Sequence, residues 1–323
     1  MKKRVLVTGA EGFIGSHLVE KLLIEGHYVR AFVLYNSFSD IGWLKGLNNS
    51  ELEIYFGDIR DKSSLRSALE GIDVVYHLAA LISIPYSYEN PEGYVTTNTI
   101  GTLNLLEEAR YVKLNHIFIT STSEVYGSAI KIPIDESHPL QAQSPYSASK
   151  IAADKLAESY FKTFNLPITI IRPFNTYGPR QSTRAIIPRI ISQLKSNPST
   201  VRLGSLYPVR DFNYVKDTVS GMYSLMINSN SIGLEVNIAS GVGISIEELI
   251  NKIAKLMNID YKVELDKERI RPANSEVDRL IGDASLIKSI SGWETSISLN
   301  EGLMETIEYY LKTDTIETAD YIK

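Results

Sequence analysis

Cysteine is absent from all 323 residues, which excludes disulfides and thiolate metal sites. Histidine is scarce: His17, His27, His77, His116 and His138 are scattered without ligand spacing, so no metal site is expected. There is no surplus of positive charge. The chain has 33 Lys and Arg against 38 Asp and Glu, a net −5, and nothing favours nucleic acid as a partner. No apolar run approaches the length of a membrane span. The start MKKRVLV resembles a signal peptide, but Glu11 and the glycines interrupt any apolar segment. A soluble cytoplasmic protein with no membrane partner is the expectation. Internal repeats, low-complexity stretches and Pro/Gly-rich linkers are missing as well. What remains is 36.1 kDa of chain with 44% apolar residues, enough for a large core and the size of a two-lobed enzyme.

The chain opens with KRVLVTGAEGFIGSHL. An apolar strand at Val5–Val7 runs into Gly9, Gly12 and Gly15, and an amphipathic helix follows with Ile14, Leu18, Leu22 and Leu23. Glycines at a strand-to-helix turn permit a tight bend and close approach of backbone N–H groups to a pyrophosphate. The helix N-terminus adds partial positive charge. A dinucleotide site at Gly9, Gly12, Phe13, Ile14 and Gly15 is therefore expected.

Short buried strands are predicted at Tyr28–Val33, Leu52–Phe56, Asp73–Leu78, His116–Ser121 and Ile168–Arg172. Helical patterns lie around Ser63–Leu69, Asn98–Val112 and Tyr146–Phe164. This alternation predicts an α/β fold, a Rossmann-type doubly wound parallel sheet. Asp58 and Ile59 follow the third strand in FGDIRD, and Leu78, Ala79 and Ala80 follow His77 at the end of the fourth. These are carboxyl ends of strands, where such sheets bind ligands. Asp58 suits adenine contact, and equally a helix cap or a solvated loop acid.

The second strand lacks the acid that usually holds the adenosine ribose. Its end reads Ala31-Phe32-Val33-Leu34-Tyr35-Asn36, with no carboxylate before Asp40. From Ala31 to Trp43 there is also no Lys or Arg to pair with a 2′-phosphate. NAD is favoured over NADP, with Asn36 as a neutral ribose partner, and NADP stays open.

Further on come TSTSEVYG and YSASK, which carry Thr122, Ser123, Glu124, Tyr146 and Lys150. Tyr and Lys four apart share a helix face. There the ammonium can pull the phenol from about 10 towards neutrality. The result would be a proton acceptor beside an alcohol, as hydride removal from a carbinol requires.

Around RPFNTYGPR, Pro173 and Pro179 bracket a turn-rich crossing to a second lobe. The expected division is a dinucleotide-binding lobe at 1–175 and a smaller α/β substrate lobe at 176–323, with segments near 212–240 returning to the first. Helices are predicted at Ile186–Ser196 and Ser245–Met257, the latter with a capping box, Ser245 and Glu248. Arg210 and Arg271 lie in VRLGSLYPVRDFNYVKDTV and RIRPANSEVDRLIGD. Both suit bidentate diphosphate recognition and, equally, a structural salt bridge.

TGAEGFIGSHL, STSEVYG, SPYSASK, RPFNTYGPR and RDFNYVKD together resemble the extended short-chain dehydrogenase/reductase family acting on nucleotide sugars, over nearly the whole chain. Glu124 resembles the general base of the sugar 4,6-dehydratases. LGSLYPVRDF and RPANSEVDRLIGD are similar to GDP-mannose 4,6-dehydratase. ALISIPYSY and AFVLYNSF are similar to the dehydratases of legionaminic-acid synthesis, which act on nucleotide-linked N-acetylglucosamine, with GDP the carrier for some. The resemblance implies a hydro-lyase with tightly held NAD(P), touched also by Tyr146, Lys150 and Pro173. It implies substrate contacts at Ser83, Asn175, Arg180, Arg210 and Arg271. It also implies a homodimer built on the helices at Asn98–Val112 and Tyr146–Phe164.

Two departures stand out. Many dTDP-glucose dehydratases have Asp where this chain has Ser123, so the acid for the leaving hydroxyl falls to Glu124 or a Ser123 relay. The GDP-mannose enzymes usually carry basic residues after the second strand and use NADP; this chain has none there. A UDP-glucuronate decarboxylase usually has other residues in place of Ser147-Ala148-Ser149, and a C4-epimerase needs no Glu124. A non-enzymatic dinucleotide-binding protein would show erosion of Tyr146, Lys150 or Glu124, and all three are present.

Overall fold

The computed structural model describes residues 2–266 and 275–313. Thirteen strands run through them in chain order: β1 Arg4–Thr8, β2 Tyr28–Leu34, β3 Leu52–Gly57, β4 Val74–His77, β5 His116–Thr120, β6 Ile168–Pro173, β7 Asn175–Tyr177, β8 Thr200–Leu203, β9 Val209–Tyr214, β10 Glu235–Ile238, β11 Gly243–Ser245, β12 Lys262–Leu265 and β13 Arg279–Leu280. Seven of them form one sheet, in the order β10-β6-β5-β4-β1-β2-β3, and every neighbouring pair is parallel. A strand covered on both faces needs apolar residues throughout. Val5, Leu6 and Val7 are accordingly buried without alternation. The helices Phe13–Ile24 and Val215–Ile227 pack together on one face, through Leu18, Leu22, Met222 and Leu225. Lys62–Ala68, Gly101–Ala109 and Pro145–Phe164 cover the other, through Leu65, Leu105, Leu106 and Ala157. The strand order reverses between β1 and β4, which opens a crevice at their carboxyl ends.

A second sheet is built on β9, which pairs with β7, β11 and β13; β8 and β12 form a separate parallel pair. Helices Ile186–Ser196, Ile246–Met257 and Leu299–Lys312 close its core around Ile190, Leu249 and Leu303. The capping box is present, Ser245 Oγ accepting from Glu248 N and Glu248 Oε2 from Ser245 N. Among the described residues no helix is long and apolar enough to cross a membrane. No group of three His, Asp or Glu among them could hold a metal.

His116 is a core residue at the start of β5, donating from Nε2 to Thr169 Oγ1 at 2.7 Å, since that hydroxyl itself donates to the Ser231 carbonyl. Burial lowers its pKa from 6.5 to about 4. The unfolded chain therefore binds more protons than the folded one between those values, and stability falls as pH drops through the window. Urea midpoints measured at neutral pH and near pH 5 should show this loss, and His116→Asn should shrink it. An undiminished acid slope in that variant assigns the sensitivity to other groups.

Candidate active site

The glycine loop is packed backbone against backbone. Gly9 has φ +67°, and a Cβ there would lie 2.8 Å from Ala79 N, beyond the end of β4. A Cβ on Gly15 would lie 2.1 Å from Gly9 O, so no larger residue fits. The helix that starts at Phe13 has no side chain capping its first turn. Its leading N–H groups are thus the kind of donors that suit an anion. These features fit a dinucleotide pyrophosphate.

A buried relay ties this loop to the rest of the crevice. Ala79 N donates to Thr8 Oγ1 at 3.2 Å, and that hydroxyl meets His77 Nδ1 at 2.9 Å. His77 Nε2 meets Thr102 Oγ1 at 3.2 Å, and Thr102 donates to the Asn98 carbonyl. The pattern makes Nε2 the donor and Nδ1 the acceptor. Burial holds the imidazole neutral, with its pKa lowered to about 3.

The chemistry-bearing residues come from the ends of β5 and the long helix beside it. Thr122 caps a short 3₁₀ turn, Ser123–Tyr126, its hydroxyl accepting from Glu124 N at 3.2 Å. The helix Pro145–Phe164 begins with a capping box, Ser144 and Ser147, and with Pro145 in its first turn. That start places Tyr146 within the crevice, hydrogen-bonded to Thr122 and packed edge-on against Tyr94. Glu124 is near enough to add to the cost of ionising this phenol. Thr122, Ser123, Glu124, Tyr146 and Lys150 are therefore brought to one place.

The expected depression of the Tyr146 pKa does not occur in the protein alone. Burial pushes the phenol well above its ordinary value; the Thr122 hydrogen bond lowers it only in part. The Lys150 ammonium donates to the Thr120 carbonyl at 2.6 Å, and burial lowers its pKa to about 8. The two residues share a helix face, but burial dominates each of them: it raises the phenol and lowers the ammonium.

Several other expected site residues already have partners within the protein. The Asn36 amide closes its own loop: it donates to the Leu34 and Asp40 carbonyls and accepts from Phe38 N and Asp40 N. All four hydrogen-bonding positions of the amide are engaged, leaving none for a ribose. Arg180 reaches back to the first helix, donating to Ser16 Oγ at 3.2 Å and Glu20 Oε1 at 2.6 Å. Arg210 forms the structural salt bridge weighed above, with Glu276 at 3.1 Å. Arg271 lies outside the described residues. Asp58 is clasped by Arg60, which holds its carboxyl below the ordinary value, while Asp61 is the helix cap. The Ile59 side chain is buried in the core.

Ser83 heads the helix Ile84–Glu89, and its carbonyl accepts the Tyr94 hydroxyl. Pro173 closes β6, and Asn175 opens β7 with its side-chain oxygen buried and unpartnered.

The sequence pattern of the GDP-mannose 4,6 dehydratase family matches residues 6–306. The chain belongs to the GDP-mannose 4,6-dehydratase family. This family lies within the extended short-chain dehydrogenase/reductases. Its curated relatives here include a dTDP-D-glucose 4,6-dehydratase of Homo sapiens, 30% identical over 95% of this chain and 90% of the relative. A UDP-glucuronic acid decarboxylase 1 of Xenopus tropicalis is 32% identical over 96% of this chain and 73% of that one. Among solved structures, a UDP-glucuronic acid 4-epimerase of Bacillus cereus, in complex with UDP-glucuronic acid and NAD, superposes with a TM-score of 0.87. It is 30% identical, covering 95% of this chain and 99% of its own. Dehydratase, decarboxylase and epimerase thus stand at nearly equal distance, and identity alone does not choose between them.

One link between the segments of the candidate site, Asn98, was indicated by no sequence motif. It sits on a π-helical turn, Val95–Ile100, which precedes the α-helix Gly101–Ala109. Its side chain bonds the Leu81 carbonyl at 2.9 Å, Leu81 N at 2.8 Å and Ser149 Oγ at 3.0 Å. Asn98 therefore pins the loop after β4 to the helix that carries Tyr146 and Lys150. A π turn holds more residues than an α turn and leaves no periodic trace in so short a segment.

Proposed function

We propose that the protein is an NAD-dependent nucleotide-sugar 4,6-dehydratase. The observation that carries this reading is the Glu124 carboxylate beside the Tyr146 phenol, the two groups that successive proton removals from neighbouring sugar carbons require. Bound in the crevice, NAD would supply a hydride acceptor and a positively charged ring near the phenol. Tyr146, helped by Thr122 and the Lys150 ammonium, takes the proton of the sugar 4-hydroxyl. The ketone at C4 acidifies the C5 hydrogen, and Glu124 removes it. Glu124, directly or through Ser123, then protonates the departing C6 hydroxyl, and water leaves. Loss of water leaves a C5–C6 double bond; addition at C6 of the hydride that the cofactor would have accepted from C4, with a solvent-derived proton returned to C5, would give an NDP-4-keto-6-deoxy sugar. Because oxidation and reduction balance within one turnover, the dinucleotide stays tightly bound.

For the substrate we favour GDP- or UDP-linked N-acetylglucosamine, supported by the likeness of ALISIPYSY and AFVLYNSF to the dehydratases named above. The unpartnered Asn175 oxygen suits a substrate hydroxyl or amide N–H. With Arg180 held by Glu20, the exposed Arg184 is the better candidate for the diphosphate; its charge opposes the burial that raises Tyr94 to about 12. A homodimer is supported by the exposed Ile100 within the Asn98–Val112 stretch proposed to pair, and by the exposed Val95 just before it.

The test is a panel of GDP-, UDP- and dTDP-linked hexoses and hexosamines, followed by mass spectrometry. Loss of one water is the expected outcome. Loss of carbon dioxide, or unchanged mass with inverted C4, would establish a decarboxylase or an epimerase instead.

A further inference from the structure

The missing acid at the end of the second strand is replaced from elsewhere. Glu11 lies inside the glycine loop, yet its Oε1 accepts from Leu34 N, the last residue of β2, at 3.0 Å. The next turn rests on the same residue: Trp43 N donates to the Glu11 carbonyl at 3.2 Å. Gly42, at φ +53°, approaches so closely that a Cβ would lie 2.7 Å from that oxygen. A carboxylate is thereby held at the carboxyl end of the second strand, where a dinucleotide fold presents an acid to the adenosine ribose. The other oxygen, Oε2, is buried and has no hydrogen-bond partner. An unsatisfied carboxylate oxygen is costly, and a hydroxyl donor relieves that cost.

The charged groups around it are already paired. Lys45 bonds Asp40 at 2.9 Å, and Arg60 clasps Asp58. Arg30 is held by Glu53 and by the carbonyls of Ala68 and Glu70. The Asn36 amide is fully engaged in its own loop.

We propose that Glu11 is the residue that binds a hydroxyl of the adenosine ribose and, by its charge, excludes dinucleotides phosphorylated there. This rests on the NAD reading above. Glu11 is a specificity-determining residue that belongs to the fingerprint loop rather than to the strand it serves.

The experiment compares the wild-type protein with Glu11→Gln and Glu11→Asp. Each is incubated with an equimolar mixture of NAD and NADP, and the dinucleotide retained after desalting is extracted and identified by mass. Gln keeps the size and an acceptor for Leu34 N but removes the charge. The NADP-to-NAD ratio should then rise by about tenfold or more, the scale of one charge-assisted hydrogen bond. Asp keeps the charge and should keep the wild-type ratio. A wild-type ratio in Glu11→Gln, with only a lowered melting temperature, would reduce Glu11 to a strut under the Gly42 turn. An equal shift in both variants would show that keeping the charge does not keep the ratio, and would overturn the assignment. If the wild-type protein retains neither dinucleotide, the NAD reading fails as well, which separates the two.

Discussion

Glu124→Gln is expected to abolish water loss while leaving the sugar nucleotide bound. The substitution preserves the shape of the 3₁₀ turn, because Thr122 caps it through the Glu124 backbone N–H and not through the side chain. Tyr146, Thr122 and Lys150 all remain, so removal of the 4-hydroxyl proton is still possible. An amide is a very poor base, and the C5 hydrogen should stay in place. Two measurements separate these steps. Formation of 4-keto-6-deoxy product should fall by about 10²-fold or more, the usual scale for a missing general base. In deuterated water the wild-type enzyme should place solvent deuterium at C5, and the variant should not. Unimpaired product from Glu124→Gln would remove its role and reopen the epimerase and decarboxylase readings.

Tyr146→Phe should cost about 10²–10⁴-fold in turnover with little loss of stability. The ring packs against Tyr94, Ile84 and Leu81, and all of that contact survives in phenylalanine. Only the hydroxyl and its bond to Thr122 disappear. The pH profile of the wild-type enzyme supplies a second check. Because burial already raises the phenol, its ionisation depends on nearby positive charge, and Lys150 loses its proton at about pH 8. Activity should therefore decline as pH rises through that value, the direction set by loss of a cation. Near-normal turnover in Tyr146→Phe would end the assignment of the phenol as base.

The local patterns of this chain determined a great deal without any structure. The G-x-x-G-x-x-G spacing between strand and helix fixed the loop that nests on Ala79. Short, mainly apolar runs identified six strands of the parallel sheet, β1 to β6, and the four-residue interval placed Tyr146 and Lys150 on one face. Backbone sterics and the helical period act over a few residues, so they can be read directly from residue order. Tertiary structure decided everything that depends on where a side chain ends up. Arg180 turned to Glu20, far away in sequence, and Glu11 crossed to the end of β2. Asn98, on a π-helical turn, reached Ser149, fifty-one residues away in sequence. The Tyr146 phenol rose rather than fell because Tyr94 and its neighbours keep water away from it. Long polar side chains find partners through space, and desolvation depends on the whole surrounding packing. Neither quantity is encoded in any short window of sequence.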